Sequence, residues 1–238
     1  MLELNKIHLG DAYELMKQIP DNSVDLFYID PPYEMKVAHG SGAFGVEKKL
    51  HYEQFDHIAR GFDHELIFKE AERVLKAINM YVWCSSTQLP KFLHYFVNEK
   101  GWNYTILDWH KTNPVPACGN KYMTGDTERC IFVRETGVKV FGTVDSKKTY
   151  YISQTNKADK KLWEHPTIKP LEFVKNHIRN STQQGDVVLD CFSGSGTTCV
   201  ASSQLGRNFI GIEIDEKYHS LSIQRLEAEQ SQQMLFIQ

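Results

Sequence analysis

The sequence has no apolar run long enough to span a membrane and no pattern of a secretory leader. A cytoplasmic protein is the expectation from both. Cysteine is scarce and scattered: five in 238 residues, with no close pair to hold a metal, form a redox motif or frame a disulfide scaffold. Reduced thiols in a core are expected instead. The histidines show no ligand spacing, so no metal is expected. Neither sign of charge dominates, since 27 Lys and Arg stand against 30 Asp and Glu, a formal net charge of −3. That excludes a generally basic protein but not a basic face. Internal repeats are lacking too, and the length fits a single domain, 1–238, with a sizeable core.

The informative stretch is Val187 to Asp215. Val187-Val188-Leu189-Asp190 is a short apolar run ending in an acid, followed by Cys191-Phe192-Ser193-Gly194-Ser195-Gly196-Thr197-Thr198. A helical pattern runs from Val200 to Leu205 and stops at Gly206. A second apolar run, Phe209-Ile210-Gly211-Ile212-Glu213, again ends in an acid. The stretch reads as strand, glycine turn, helix, strand: one βαβ unit. Gly194 and Gly196 let the backbone turn tightly and approach a ligand. The following helix aims its free N–H groups at that ligand. Glu213, roughly 20 residues past the glycines, is placed to accept from ribose hydroxyls. A nucleoside cofactor is one reading and an ordinary βαβ turn the other. The dinucleotide fingerprint is incomplete, because Cys199 stands where its third glycine would be, and no Gly-Lys-Ser/Thr follows to make a P-loop. One βαβ unit cannot bury both faces of its strands, so the rest of the sheet must come from earlier in the chain.

Ile7-His8-Leu9 reads as a strand ending at Gly10-Asp11, with a helical turn after it that packs Leu15, Met16 and Ile19 and closes at Pro20. Asp11 serves as an N-cap, a cofactor contact, or both. Val24 to Ile29 is a buried parallel strand running directly into Asp30-Pro31-Pro32-Tyr33. The two prolines hold the acid and its neighbouring carbonyls in an extended geometry, with the ring of Tyr33 projecting from the rim. The carboxyl end of a central strand is where open α/β sheets bind ligands. Glu34 to Ile58 is unperiodic and reads as a mobile loop over that end. Asp63 caps a helix with Leu66, Ile67, Ala71, Val74 and Leu75 inward. Met80 to Cys84 is a strand, and Ser85-Ser86-Thr87 starts a helix that stops at Gly101. Tyr104 to His110 and Arg129 to Arg134 are strands. Gly137 to Leu162 is polar and lysine-rich, read either as a solvated hairpin or as a surface that meets phosphates. Pro170 takes the first position of a helix whose inner face carries Leu171, Val174 and Ile178.

Asp30-Pro31-Pro32-Tyr33 and Phe192-Ser193-Gly194-Ser195-Gly196 resemble the catalytic and S-adenosylmethionine motifs of the amino-group DNA methyltransferases, adenine N-6 and cytosine N-4. His165-Pro166-Thr167-Ile168-Lys169-Pro170 resembles the segment that family places just before its cofactor strand. Catalytic motif first and cofactor motif last is the permuted order of the β group, and the likeness covers nearly the whole chain. It implies an α/β fold: a doubly wound, mostly parallel Rossmann-like sheet with helices on both faces. It also implies a small target-recognition segment at 136–164.

For the site, the resemblance implies a catalytic set of Asp30, Pro31, Pro32 and Tyr33. The implied cofactor set is Asp11, Asp30, His165, Thr167, Lys169, Asp190, Phe192, Ser193, Gly194, Ser195, Gly196, Thr197 and Glu213. Within it Glu213 takes the ribose, Asp11 lies near the adenine moiety and Lys169 near the methionine end. The implied reaction moves a methyl group from S-adenosylmethionine to the exocyclic amino group of adenine in double-stranded DNA, with the base flipped out and Tyr33 stacked on it. Cytosine N-4 methylation and a non-catalytic cofactor-binding nucleic-acid module are the alternatives. The acid at position 30 favours adenine, because serine often leads the motif in the cytosine enzymes. A homodimer is left open. Gln232-Gln233-Met234-Leu235-Phe236 either docks on its own domain or resembles the short motif that tethers bacterial proteins to the replication sliding clamp.

Overall fold

The computed structural model describes residues 1–33, 62–114, 122, 125–155, 157–163 and 167–236, with the backbone alone at 158, 159 and 232–236. The expected loop Glu34–Ile58 and His165 lie outside the described residues. The strands are β1 (Lys6–Leu9), β2 (Leu26–Ile29), β3 (Asn79–Cys84), β4 (Asn103–Lys111), β5 (Thr127–Arg134), β6 (Tyr150–Ser153), β7 (Val187–Asp190) and β8 (Asn208–Glu213). They form one sheet in the order β1-β8-β7-β2-β3-β5-β4-β6. Among the described strands only β5 runs against the others. The strands of the final βαβ unit are completed by the start of the chain: β8 takes β1 as its neighbour (Leu9↔Glu213) and β7 takes β2 (Leu26↔Val188).

The helices are α1 (Ala12–Leu15), α2 (His64–Val74), α3 (Leu89–Leu93), α4 (Lys157–Leu162), α5 (Leu171–Ser181), α6 (Thr197–Gln204) and α7 (Glu216–Phe236). After α3 the chain widens into π-type turns over His94–Glu99. Strand residues alternate between two cores, as a pleated sheet covered on both faces requires. Phe27, Ile29, Met80, Val82, Leu189 and Ile210 join the core of α1, α2 and α3, whereas Leu26, Tyr28, Tyr81, Trp83 and Val188 join that of α5 and α6. Cys84, Cys130, Cys191 and Cys199 are free and buried. No helix among the described residues is long and apolar enough to cross a membrane.

Several elements depart from the expectation. The segment 137–162 is no hairpin. Its Tyr150–Ser153 joins the sheet edge parallel to β4, where the Tyr151 ring stacks on Phe173 at 4.8 Å and Trp109 Nε1 donates to Ser153 Oγ at 2.9 Å. Leu66 is exposed, and Phe68 takes the inward place among Phe92, Phe96 and Tyr95. Pro170 is extended (φ −60°, ψ 120°) and caps α5 instead of opening it. The third helix begins one turn later than Ser85 because Ser85 and Gln88 cap each other. Ser85 Oγ accepts from Gln88 N at 3.2 Å, and Gln88 Oε1 accepts from Ser85 N at 3.1 Å. The backbone of Gln232–Phe236 continues α7 and is not a separate tail.

Candidate active site

Parallel strands end at the same edge of a sheet, so β1, β8, β7 and β2 deliver Asp11, Glu213, Asp190 and Asp30 to one rim. Strands β7 and β2 are direct neighbours there. The helices that follow them pack on opposite faces, which makes the rim between them the crevice of a doubly wound sheet.

On the β7 side, Ser193 N donates to Ile212 O at 2.9 Å and Gly196 N to Ser193 O at 2.7 Å, closing the glycine loop onto β8. Gly194 (φ 47°) and Gly196 (φ 72°) are both left-handed, and Gly196 sits at the N-cap of α6. Glu213 Oε2 accepts from Gly194 N at 2.7 Å and Oε1 from Asp215 N at 2.9 Å. Each carboxylate oxygen keeps a further lone pair for a ligand hydroxyl. Burial pushes the Glu213 carboxyl up from the usual range, against the pull of those backbone donors. Burial also pushes Asp190 up to about 7, although Asp190 Oδ1 accepts from Phe192 N at 3.1 Å. Asp11 caps α1, accepting from Tyr13 N at 2.9 Å, and lies next to Glu213, whose carbonyl accepts from Gly10 N at 2.9 Å. The close helix–strand contact that a third glycine would allow comes from the other partner. Cys199 packs on Gly211 of β8, where a Cβ would meet its Sγ at 2.8 Å.

On the β2 side, Lys169 Nζ lies 2.6 Å from Asp30 Oδ2, 2.9 Å from Glu128 Oε2 and 3.3 Å from the Tyr33 hydroxyl. Its charge also sits 4.6 Å from the centre of the Trp83 ring and 5.4 Å from that of Tyr33. Glu128 pairs in turn with Lys111, Oε1 to Nζ at 2.6 Å. The result is a line of alternating charges: Lys111, Glu128, Lys169, Asp30. Burial pushes the Glu128 carboxyl up, but Lys169 and Lys111 together outweigh it and hold the group at about 2. For Asp30 burial wins over Lys169 and the carboxyl is raised. Asp30 Oδ1 is buried and has no hydrogen-bond partner among the described residues. Gln88 Nε2 donates to the Pro32 carbonyl at 2.9 Å, which fixes the proline turn. Tyr33 does not project from the rim. It is half-buried, because Lys169 draws its hydroxyl inward.

The structure thus brings together Asp30, Tyr33 and Lys169 at β2, and Asp11, Asp190, Phe192, Ser193, Gly194, Ser195, Gly196, Thr197 and Glu213 at β7 and β8. Thr167 is exposed, two residues before Lys169. Three polar residues escaped sequence reasoning. Glu128 and Lys111 carry no motif, and β5 is antiparallel, so its start and not its end meets the rim. Arg225 is buried beneath the glycine loop, its Nη1 donating to Ser195 O at 3.0 Å and to Thr197 Oγ1 at 2.9 Å.

The chain is similar to known proteins. A family model described as DNA methylase, N6_N4_Mtase, matches residues 24–224. The type II methyltransferase M2.MboI of Moraxella bovis is 32% identical over 238 residues, covering 92% of this chain and 86% of its own. M.HinfI of Haemophilus influenzae, also a type II methyltransferase, is 30% identical over 249 residues, covering 94% and 68%. The crystal structure of an M1.HpyAVI–SAM complex superposes with a TM-score of 0.66 at 27% identity, over 92% of this chain and 98% of that one. The chain belongs to the N6_N4_Mtase family of DNA methylases and is an S-adenosylmethionine-dependent DNA methyltransferase.

Proposed function

We propose that the chain methylates N6 of adenine in double-stranded DNA, with Asp30-Pro31-Pro32-Tyr33 as its catalytic motif. One observation carries this reading: a buried carboxylate oxygen, Asp30 Oδ1, stands without a partner beside the cofactor strand while its twin is tied to Lys169. The exocyclic nitrogen of adenine is a poor nucleophile because its lone pair is delocalised into the ring. Asp30 Oδ1 and the Pro31 carbonyl would each accept one amino hydrogen, which draws the nitrogen toward a tetrahedral shape and localises the lone pair. Positioning and electrostatics supply the rate, with no covalent enzyme intermediate. Burial holds the Cys84 thiol up at about 12, so that neighbour stays neutral.

S-adenosylmethionine, when bound, supplies a methyl group activated by a sulfonium charge. The residues at β7 and β8 fit it. Glu213 would take the ribose hydroxyls with its remaining lone pairs, Asp11 beside it would meet the adenine moiety, and the loop from Phe192 to Thr197 offers backbone at a helix N-terminus. The ammonium of Lys169 is engaged by Asp30, Glu128 and Tyr33, so its part is to orient Asp30 at the reacting end. Residues 136–164, with β6 on the sheet edge and the lysines of α4 beyond it, are the segment we assign to target recognition within a single domain.

Expression in a methyltransferase-free host, with modified-base sequencing of its DNA, tests the substrate. N6-methyladenine at one recurring sequence is expected. N4-methylcytosine would replace the adenine reading, and unmodified DNA would favour a non-catalytic module. The acid at position 30 is the observation that puts adenine ahead of cytosine.

Docking on a sliding clamp through Gln232–Phe236 has to reckon with α7, whose backbone runs through that pentapeptide. A pull-down with purified clamp compares the full chain with one ending at Ser231. Loss of capture on truncation supports the contact, and equal capture of the two removes it.

A further inference from the structure

An ammonium group has three N–H donors, and Lys169 meets three oxygen groups: Asp30 Oδ2, Glu128 Oε2 and the Tyr33 hydroxyl. The tripod is buried; the Lys169 side chain is 6% exposed and that of Glu128 19%. Two acceptors of the cluster are buried without a hydrogen-bond partner among the described residues: Glu128 Oε2, which meets Lys169 as an ion pair at 2.9 Å, and Asp30 Oδ1. If Glu128 lost its charge, the ion pair that draws Lys169 toward β5 would be gone, and the low-dielectric surroundings would favour a two-point grip of its ammonium on Asp30, Oδ1 included. The oxygen needed by a substrate amino hydrogen would then be occupied.

We propose that Glu128 is a positioning residue for methyl transfer: by holding one arm of Lys169 it confines that ammonium to Asp30 Oδ2 and keeps Oδ1 open for the target amino group. Lys111 completes the device from the far side by fixing the other Glu128 oxygen, with its own ammonium 5.1 Å from the centre of the Trp109 ring. This rests on the reading of Asp30 as the group that receives the amino hydrogen.

The device also has a pH signature. The titratable and charged groups facing Asp30 are Lys169, Tyr33, Tyr28 on β2, Cys84 on β3, Glu128 and Cys130 on β5, and Asp190 on β7. Removing the negative charge at Glu128 leaves Lys169 and Lys111 to favour the Asp30 carboxylate, so the acid limb of activity moves to lower pH. Removing Lys111 frees Glu128 to draw Lys169 away, so the limb moves to higher pH. Burial raises Asp190 as well, and the charge of Asp30 adds to that rise.

The experiment measures kcat, the KM for S-adenosylmethionine and the pH profile of Glu128→Gln, Glu128→Asp, Lys111→Met and Asp30→Ala. For Glu128→Gln a fall in kcat of about tenfold or more is expected, with the cofactor KM within about twofold and the acid limb lower by about one pH unit. Glu128→Asp, which keeps the charge, restores the limb to its wild-type position. Lys111→Met shifts it upward. A folded Glu128→Gln with wild-type kcat and an unmoved limb overturns the proposal. If Glu128→Gln fails to fold, Lys111→Met decides, and an unmoved limb there overturns it. Activity in Asp30→Ala would instead overturn the reading of Asp30 itself, so the two failures are told apart.

Discussion

Asp30→Ala is expected to lower methyl transfer by about 10³-fold or more, the scale on which an enzyme loses one preorganised polar contact to the reacting group. S-adenosylmethionine should still bind, because Glu213 and the loop from Phe192 to Thr197 lie on other strands and make no contact through Asp30. The variant should also fold. Lys169 loses Asp30 but keeps Glu128 at 2.9 Å, so its charge is not left alone in the interior. Asp30→Asn is the sharper companion. It preserves the shape and one acceptor, yet puts an amide beside Lys169 where a carboxylate belongs. Calorimetry for the cofactor and a methyl-transfer assay on the same preparation check both. Activity within about tenfold of wild type, about 1.4 kcal/mol of barrier, would be too small a loss for a group acting on the amino hydrogen.

The reading of the sequence succeeded where one physical signal dominated. Strands β2, β3, β7 and β8 are short apolar runs buried on both faces. Gly194 and Gly196 marked the tight turn after β7, and both have positive φ. The expectation that earlier chain completes the final βαβ unit is met by β1 beside β8 and β2 beside β7. The reading failed where tertiary contacts decide. Gly137 to Leu162 is polar and lysine-rich enough to suggest a hairpin, and only the stacking of Tyr151 on Phe173 shows why its Tyr150–Ser153 lies on the sheet edge. Leu66 and Phe68 are both apolar on α2, and one helical face can bury only one of those directions. Glu128 was invisible for a topological reason. In a parallel sheet the site lies past strand ends, so an acid at the start of a strand looks structural until the strand is known to run backwards.

The glycine loop after β7 depends on a residue thirty positions away. Arg225 on α7 is 1% exposed and reaches under the loop to Ser195 O at 3.0 Å, Ser195 Oγ at 3.3 Å and Thr197 Oγ1 at 2.9 Å. These contacts hold the residues on either side of Gly196, which is itself in the left-handed region at the start of α6. Arg225→Met keeps most of the aliphatic volume but leaves three buried acceptors without this donor. Loss of a hydrogen-bonded buried partner costs about 2–4 kcal/mol. In a chain of this size that corresponds to a fall in Tm of about 4–16 °C. The loop should loosen with it, and S-adenosylmethionine affinity should drop by about tenfold or more, since the backbone that meets the cofactor is no longer preorganised. Once the cofactor saturates, kcat should stay near wild type, because Asp30 and its partners sit on β2 and the strands beyond it. Arg225→Lys should recover part of both effects, supplying one charged donor group where the guanidinium spans several acceptors. Differential scanning fluorimetry and cofactor titration on the three proteins check the argument. An unchanged Tm with unchanged cofactor affinity in Arg225→Met would mean that the glycine loop holds its shape through Glu213 and Ile212 alone.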